Sequence, residues 1–313
     1  MNTGYLAAFA TLFSWTISTF ALARLSRLVD PFTLNKAALF FSIFLLGSLV
    51  CILDHLTPWD LFTLPNLSNW FWLGLSGILG KSIGDYCGFC SMRILGARRR
   101  SMISTTGPGF TWLFGWMILS EEMNWLGVVA MLLTITSLLF LINSTAEKNE
   151  VKSEKFGLPI PGLLYGIAAA ALTGLAFILS KKTFVEPETK LSAFHATWIR
   201  IIIAFLFILL VDIIRNKHDA FIKPFVTERE KSLLLLITIV FGAVLGLSFS
   251  LMAITKMNAA VAYTIFAMLP VSVIAVTVIF YQKKISLKSW GYSIAAIVGV
   301  VVLVWRERLV GYF

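Results

Sequence analysis

Charged residues are scarce in this sequence. Asp, Glu, Lys and Arg make up only 13% of the chain, whereas 58% of the residues are hydrophobic and the mean hydropathy is +0.86. A typical soluble domain carries about 25% charged residues to cover its surface. This composition therefore excludes an ordinary soluble protein and predicts a chain that lies in a lipid bilayer.

Residues and motifs that serve metals, nucleotides or catalysis are equally few. The sequence has three cysteines and three histidines, and although Cys87 and Cys90 form a CxxC pair, Cys51 and the histidines lack ligand spacing. A redox cysteine needs an exposed, acidified thiol, so we interpret this pair, deep in a predicted helix, as small apolar side chains. No GxxxxGK[ST], HExxH or GxSxG motif occurs. The sequence thus predicts no metal, no cofactor, no direct use of ATP and no enzymatic activity.

Long apolar runs recur from one end of the chain to the other. A hydrocarbon core about 30 Å thick requires about 20 helical residues for each crossing. We therefore predict an all-α polytopic membrane protein with ten transmembrane helices. These helices are placed at residues 4–23, 32–53, 70–95, 101–119, 125–142, 160–180, 193–213, 233–254, 259–280 and 288–305.

Basic residues collect in alternate connections between these helices. They occur at Arg24 and Arg27, in the cluster Arg93, Arg98, Arg99 and Arg100, and again near residues 148–155, 215–231 and 283–288. Because Lys and Arg accumulate in cytoplasmic loops, this pattern predicts a multi-pass protein of the inner or plasma membrane with both termini outside the cytoplasm. The net charge of +10 then reflects membrane topology, and we expect the partner to be the lipid bilayer and no nucleic acid.

The second half of the chain repeats the order of features in the first half. The segment around Pro108 aligns without a gap on the segment around Pro270, and both continue into a short polar turn and a final apolar helix. Five helices in each copy is an odd number, so the two copies must enter the membrane from opposite sides, as an inverted repeat. We therefore divide the chain into a first five-helix repeat (1–142), a basic linker (143–158) and a second five-helix repeat (159–313).

The run from Gly84 to Glu122, "GDYCGFCSMRILGARRRSMISTTGPGFTWLFGWMILSEE", follows the earlier segment "LFSWTISTFALARL" and a basic residue, Lys36, that opens the second helix. Together these segments resemble the EamA-type branch of the drug/metabolite transporter superfamily. The resemblance implies ten helices in two inverted five-helix repeats around a central cavity, and export or exchange of small metabolites. It leaves the solute open among amino acids, purines, sugars, drugs and lipid-linked groups.

Lys81 and Asp85 lie inside the third predicted span, four residues apart and therefore on one helical face. Each charge near the bilayer centre costs about 2.5–3.5 kcal/mol, so this face should contact protein or water and not lipid. The two residues either pair structurally or line the path of the solute. The second copy has Ala243 and Leu247 at these positions, so the repeated architecture does not require the pair, and a role in selectivity is favoured.

Interrupted helices at corresponding positions of two repeats indicate a transporter's binding site and gate. Pro108 and Pro270 interrupt the fourth and ninth predicted spans and are our candidates for gating, the alternative being simple packing kinks. The other substrate-binding candidates are an aromatic residue within the first span, hydroxyl residues near the prolines and a cation near a helix end, each with a packing role as the alternative: Trp15, Ser104, Thr105, Thr106, Arg200 and Thr264. For Lys36 we expect snorkelling toward the head groups.

These features predict a secondary transporter that exports or exchanges a small polar metabolite by alternating access. An amino acid is favoured, because the Lys81 ammonium attracts a carboxylate while Asp85 can hold an amine, or exchange a proton and so couple transport to protons. The alternatives are transport of phosphorylated or nucleotide-linked sugars, drugs or lipid-linked groups, and, outside transport, a membrane receptor or scaffold. The sequence does not choose between a monomer and a dimer.

Overall fold

The computed structural model describes residues 3–144, 160–186, 191–215, 221–281 and 286–310. In this part of the chain all regular secondary structure is helical. The first half contains α1 (Thr3–Leu28), α2 (Pro31–Leu53), α3 (Asp60–Thr63), α4 (Leu67–Gly77), α5 (Asp85–Ser104), α6 (Gly107–Leu119) and α7 (Trp125–Ser144). The second half contains α8 (Ile160–Val185), α9 (Ala193–Arg215), α10 (Lys223–Thr227), α11 (Arg229–Ile237), α12 (Leu247–Lys256), α13 (Ala259–Phe266), α14 (Leu269–Tyr281) and α15 (Leu287–Val310).

Eight helical segments of the described chain are long and apolar enough to cross a membrane. They are Thr3–Leu28, Pro31–Leu53, Trp125–Ile142, Ile160–Val185, Ala193–Ile214, Arg229–Lys256, Ala259–Val276 and Leu287–Glu307. The all-α polytopic prediction is confirmed, but eight of the ten predicted spans meet this criterion. The third predicted span carries Lys81 and Asp85, and the fourth carries the hydroxyl residues Ser104, Thr105 and Thr106 with two glycines and a proline, so both are less apolar than the other eight.

A stretch of π-helix occurs at a corresponding position in each half. The first, π1 (Ile78–Gly84), joins α4 to α5, and the second, π2 (Thr238–Gly246), joins α11 to α12. Both end on a glycine at positions that the Pro108–Pro270 alignment superimposes. π-Helical turns are rare and often mark functional sites. Two of them at matched positions therefore make π1 and π2 candidates for a functional region.

Each π-helical stretch packs against the first helix of the other half. Helix α1 lies along π2, and α8 lies along π1. The approach is close, since a Cβ atom on Gly246 would lie 2.3 Å from the Trp15 ring, and one on Gly84 would lie 3.5 Å from the Cβ of Leu172. The two halves are therefore interlocked through their first helices, α1 and α8, and their third helical segments. The third segment consists of α4, π1 and α5 in the first half and of α11, π2 and α12 in the second.

Two further breaks occur at corresponding positions. Helix α5 ends at Ser104 and α6 begins at Gly107, whereas α13 ends at Phe266 and α14 begins at Leu269. Pro108 and Pro270 each stand second in the helix that follows the break, where the missing amide hydrogen is tolerated.

The third helical segment of each half also contacts the start of the first helix of the other half. The third segment of the first half approaches the start of α8, where the Ser91 hydroxyl donates to the Gly162 carbonyl at 2.9 Å. The third segment of the second half ends beside the start of α1, where a Cβ on Gly4 would lie 3.0 Å from the Cβ of Lys256. One apolar core runs through both halves and includes Leu34, Leu73, Phe177, Ile199 and Phe266.

Residues 145–158 of the predicted linker 143–158 lie outside the described residues. So do Lys283 and Lys284 of the last basic cluster and Phe313 of the second predicted repeat.

Candidate functional site

The structure brings Lys81 and Asp85 together as an ion pair across one turn of the third helical segment. Their side chains are 20% and 30% exposed, so neither is sealed in the core. The pair stands where π1 passes into α5, because Lys81 belongs to π1 and Asp85 is the first residue of α5.

The backbone at this point is held by Asn35 of α2. Its Nδ2 donates to the carbonyl oxygens of Lys81 and Ser82, each at 3.1 Å, and the side chain is almost completely buried. A π-helical turn disturbs the regular hydrogen bonds of an α-helix, and buried carbonyl groups need partners. Asn35 therefore supports the irregular turn that presents Lys81. Sequence reasoning missed it, since a single Asn in an apolar helix carries no spacing signal.

Arg200 of α9 lies against the same segment and is 1% exposed. Its Nε and Nη1 atoms have no hydrogen-bond partner among the described residues. The contact with the third segment is close: a Cβ on Gly77 would lie 2.1 Å from the Arg200 carbonyl oxygen, and one on Gly80 would lie 3.7 Å from Nη2. A buried cation with unsatisfied N–H donors is costly, so a guanidinium in this position favours an anion beside it.

Arg100 approaches from the other side of the Lys81–Asp85 pair. Its Nε donates to the Gly88 carbonyl at 3.2 Å, although a straight helix would separate residues twelve apart by about 18 Å. The axis of α5 therefore bends between them and folds Arg100 back toward Asp85. The sequence placed Arg100 in a cytoplasmic basic cluster, and in the structure it is half-buried instead.

The charge of Asp85 acts on both arginines and on the hydroxyl of Tyr263 in α13. Tyr263 lies against the break before α6, where a Cβ on Gly107 would be 2.6 Å from its ring. Helices from both halves therefore bring three cations, one carboxylate and one phenol toward a common region.

The hydroxyl groups of three candidates near the helix breaks donate to backbone carbonyls three or four residues earlier in the chain. The Ser104 and Thr106 hydroxyls donate to the Ser101 and Ile103 carbonyls, at 2.8 and 2.7 Å. Thr264 donates to the Ala260 carbonyl at 2.8 Å and is fully buried.

Thr105 occupies the break itself and is 1% exposed. Trp15 packs between the halves, with its Nε1 donating to the Gly242 carbonyl of π2 at 3.2 Å and its ring edge-on to Phe266. All of these contacts are made within the protein itself.

The profile of the EamA-like transporter family matches the sequence twice, over residues 2–143 and over residues 160–305. The chain belongs to this family. As an EamA-like protein it is a multi-pass membrane transporter of the drug/metabolite type, which confirms the resemblance found in the sequence. The two matched regions also establish two copies of the EamA unit.

Solved structures share the fold of this EamA-like chain. Twenty-eight chains match it, and one, described as "Crystal structure of protein", aligns with a TM-score of 0.73 at 15% identity, covering 98% of this chain and 99% of the other. At this identity the likeness shows the fold alone. No match was found among curated proteins.

Two ion pairs of this EamA-like protein, one buried and one half-buried, were missed by sequence reasoning. Lys36 pairs with Asp212 of α9, and its Nζ lies 4.6 Å from the centre of the Phe221 ring. The expectation that Lys36 snorkels to the head groups is therefore wrong, since its side chain is 6% exposed. Glu121 pairs with Lys181 of α8. The partners in each pair are far apart in sequence, so no local spacing reveals them.

Proposed function

We propose that this EamA-like protein is a secondary transporter that exports or exchanges a small polar metabolite, such as an amino acid, and that the solute binds at Lys81, Asp85 and Arg200. The observation that carries this proposal is the buried guanidinium of Arg200, whose Nε and Nη1 find no hydrogen-bond partner in the described part of the chain, beside a partly exposed ion pair. A solute carboxylate at Arg200 would supply the missing acceptor, and Asp85 would accept a hydrogen bond from a solute amine.

Alternating access supplies the transport step in this proposal. We place ten transmembrane helices in two inverted repeats, 1–142 and 159–313, around a central cavity, with the linker 143–158 between them. The repeats would rock about the bound solute, as in other transporters built from inverted repeats. Support comes from the crossed contacts of the two halves and from the matched breaks before Pro108 and Pro270, which are suited to hinge movement.

The remaining candidates surround these breaks. Thr105 and Thr106 lie in the first break and Ser104 immediately before it, while Thr264 lies in α13 before the second break. Trp15 contacts π2 and Phe266. In this proposal they line the path once the helices move apart, when their hydroxyls or ring become available to the solute.

Proton coupling through Asp85 is part of the same proposal. Protonation of Asp85 would remove its charge and release Lys81, so the affinity of the site for an anionic group would depend on pH. The protein would act in the cell membrane with both termini outside the cytoplasm, as the distribution of Lys and Arg predicts.

Solute flux into proteoliposomes with an imposed pH gradient tests the proposal. Lys81→Ala and Asp85→Asn should each lower the flux of a transported amino acid, and Asp85→Asn should also remove its dependence on the gradient. Lys231→Ala is the matched control, because it removes a lysine from an ion pair with Glu228 near the start of α11, outside the site. Wild-type flux in both site variants would remove the pair from the mechanism.

A further inference from the structure

We propose that the solute has a net negative charge and carries two acidic groups, one bound by Arg200 and the other by Arg100. This inference rests on the proposed function and narrows its substrate class. It assigns Arg100, which sequence analysis treated as a loop residue, to the binding site.

The first argument is the balance of charge. Lys81 and Asp85 neutralise each other as an ion pair. Arg200 is buried and, within the residues that the structure describes, has no hydrogen-bond partner at Nε or Nη1, while Arg100 uses its Nε on the neutral Gly88 carbonyl. The site therefore holds two guanidiniums beyond its internal pair, in surroundings where uncompensated charge is expensive. A zwitterion has no net charge and would leave that excess in place, whereas a solute with two acidic groups reduces it.

The second argument is the position of the two arginines along the third segment. Arg200 Nη2 lies beside Gly80, and Arg100 lies beside Gly88, so the two groups flank the Lys81–Asp85 pair. Eight residues correspond to at most about 12 Å along this segment, because its first part is π-helical and its wider turns rise less per residue than those of an α-helix. Hydrogen bonds of about 2.9 Å at each end leave at most about 6 Å between the two acidic groups. A chain of four or five carbons with an acidic group at each end fits this spacing.

The third argument is the nature of the groups themselves. Guanidiniums bind carboxylates and phosphates through paired hydrogen bonds, which fixes orientation as well as charge. Asp85 between the arginines disfavours a third anionic group and accepts an amine on the carbon next to one of the acidic groups. An amino acid with an acidic side chain satisfies all three positions, so the inference refines the proposed amino-acid transport and does not replace it.

Uptake of a size-matched panel into proteoliposomes tests the inference. The panel is succinate, glutamate, glutamine and lysine, with net charges of −2, −1, 0 and +1. We expect the wild-type protein to take up glutamate and succinate about tenfold faster than glutamine, and lysine most slowly. Equal or faster uptake of glutamine would overturn the inference and leave the proposed transport intact. No uptake of any member would contradict the proposed function itself.

Variants of the two arginines test whether these residues cause the preference for acidic solutes. Arg200→Gln and Arg100→Gln should each lower the ratio of glutamate to glutamine uptake about tenfold, and Arg200→Lys should retain the preference with a higher KM. Arg24→Gln is the matched control, because Arg24 is 67% exposed and paired with Glu230. Gel filtration identifies variants that fold. An unchanged ratio in both folded Gln variants would overturn the inference, and the wild-type panel decides it even if neither variant folds.

Discussion

The ammonium of Lys36 on α2 pairs with the carboxylate of Asp212 on α9, and the two side chains are only 6% and 7% exposed. The pair joins the first half to the second, and it lies under the ring of Phe221. Removing one partner of a buried pair leaves the other charge uncompensated, which is costlier than removing both.

Asp212→Asn should therefore lower the free energy of unfolding by about 3–5 kcal/mol, because Lys36 keeps its charge in the core. The double variant Lys36→Met with Asp212→Leu should recover most of that loss. Thermal unfolding in detergent measures both. Equal destabilisation by the single and the double variant would show that the charge itself is unimportant.

Gly246 tests the close approach of α1 to π2. A Cβ there would lie 2.3 Å from the Trp15 ring, so Gly246→Ala must separate the two elements and should destabilise the protein by about 1–3 kcal/mol. Gly291→Ala in α15 is the control, since a Cβ at that position meets no described atom within 4 Å. The control should be neutral or stabilise the helix by up to about 1 kcal/mol. The same melting curve for both variants would mean that this contact is not tight.

A second ion pair joins the halves where α12 meets α13. Lys181 pairs with Glu121 and donates to the Met257 carbonyl at 2.6 Å, while Glu121 accepts from the Ala259 amide at 3.0 Å. These contacts connect α8 to the loop after α6 and to the junction of α12 with α13. They lie at the end of the molecule at which α1 begins, where Gly4 approaches Lys256.

Glu121→Gln should loosen that end, because it keeps an acceptor for Ala259 but removes the charge that Lys181 binds. A cysteine introduced at Asn258, in a background without the native cysteines, should then react up to about tenfold faster with an impermeant maleimide. Lys231→Ala provides the comparison, since its ion pair is formed near the start of α11. Unaltered reactivity would exclude this ion pair as a restraint on opening.

Hydropathy and helical spacing sufficed to predict a polytopic all-α membrane protein and to place Lys81 and Asp85 on one face, because both signals are local. The partners of Lys36 and Glu121 lie on helices distant in the sequence, so their contacts depend on tertiary packing. Arg100 shows most clearly what a local sequence pattern cannot predict. It belongs to a run of three arginines that the charge pattern treats alike, and only the bend of α5 turns this one toward Gly88.

The π-helical stretches were also beyond sequence reasoning. Gly84 and Gly246 occupy matched positions, but the composition of the two segments is that of ordinary apolar helices. Their widened turns are held by contacts from other helices, from Asn35 to π1 and from Trp15 to π2. A local pattern does not contain those partners.

The central claim is that Lys81 and Asp85 face an aqueous path for the solute, beside the buried Arg200. Reactivity of Asp85→Cys toward a hydrophilic thiosulfonate, in a background without native cysteines, tests it most directly, with Ser42→Cys as a fully buried control. The account predicts that the Asp85→Cys thiol reacts, that Ser42→Cys does not, and that glutamate slows the reaction. An Asp85→Cys thiol that stays unreactive from both sides of the membrane would contradict it.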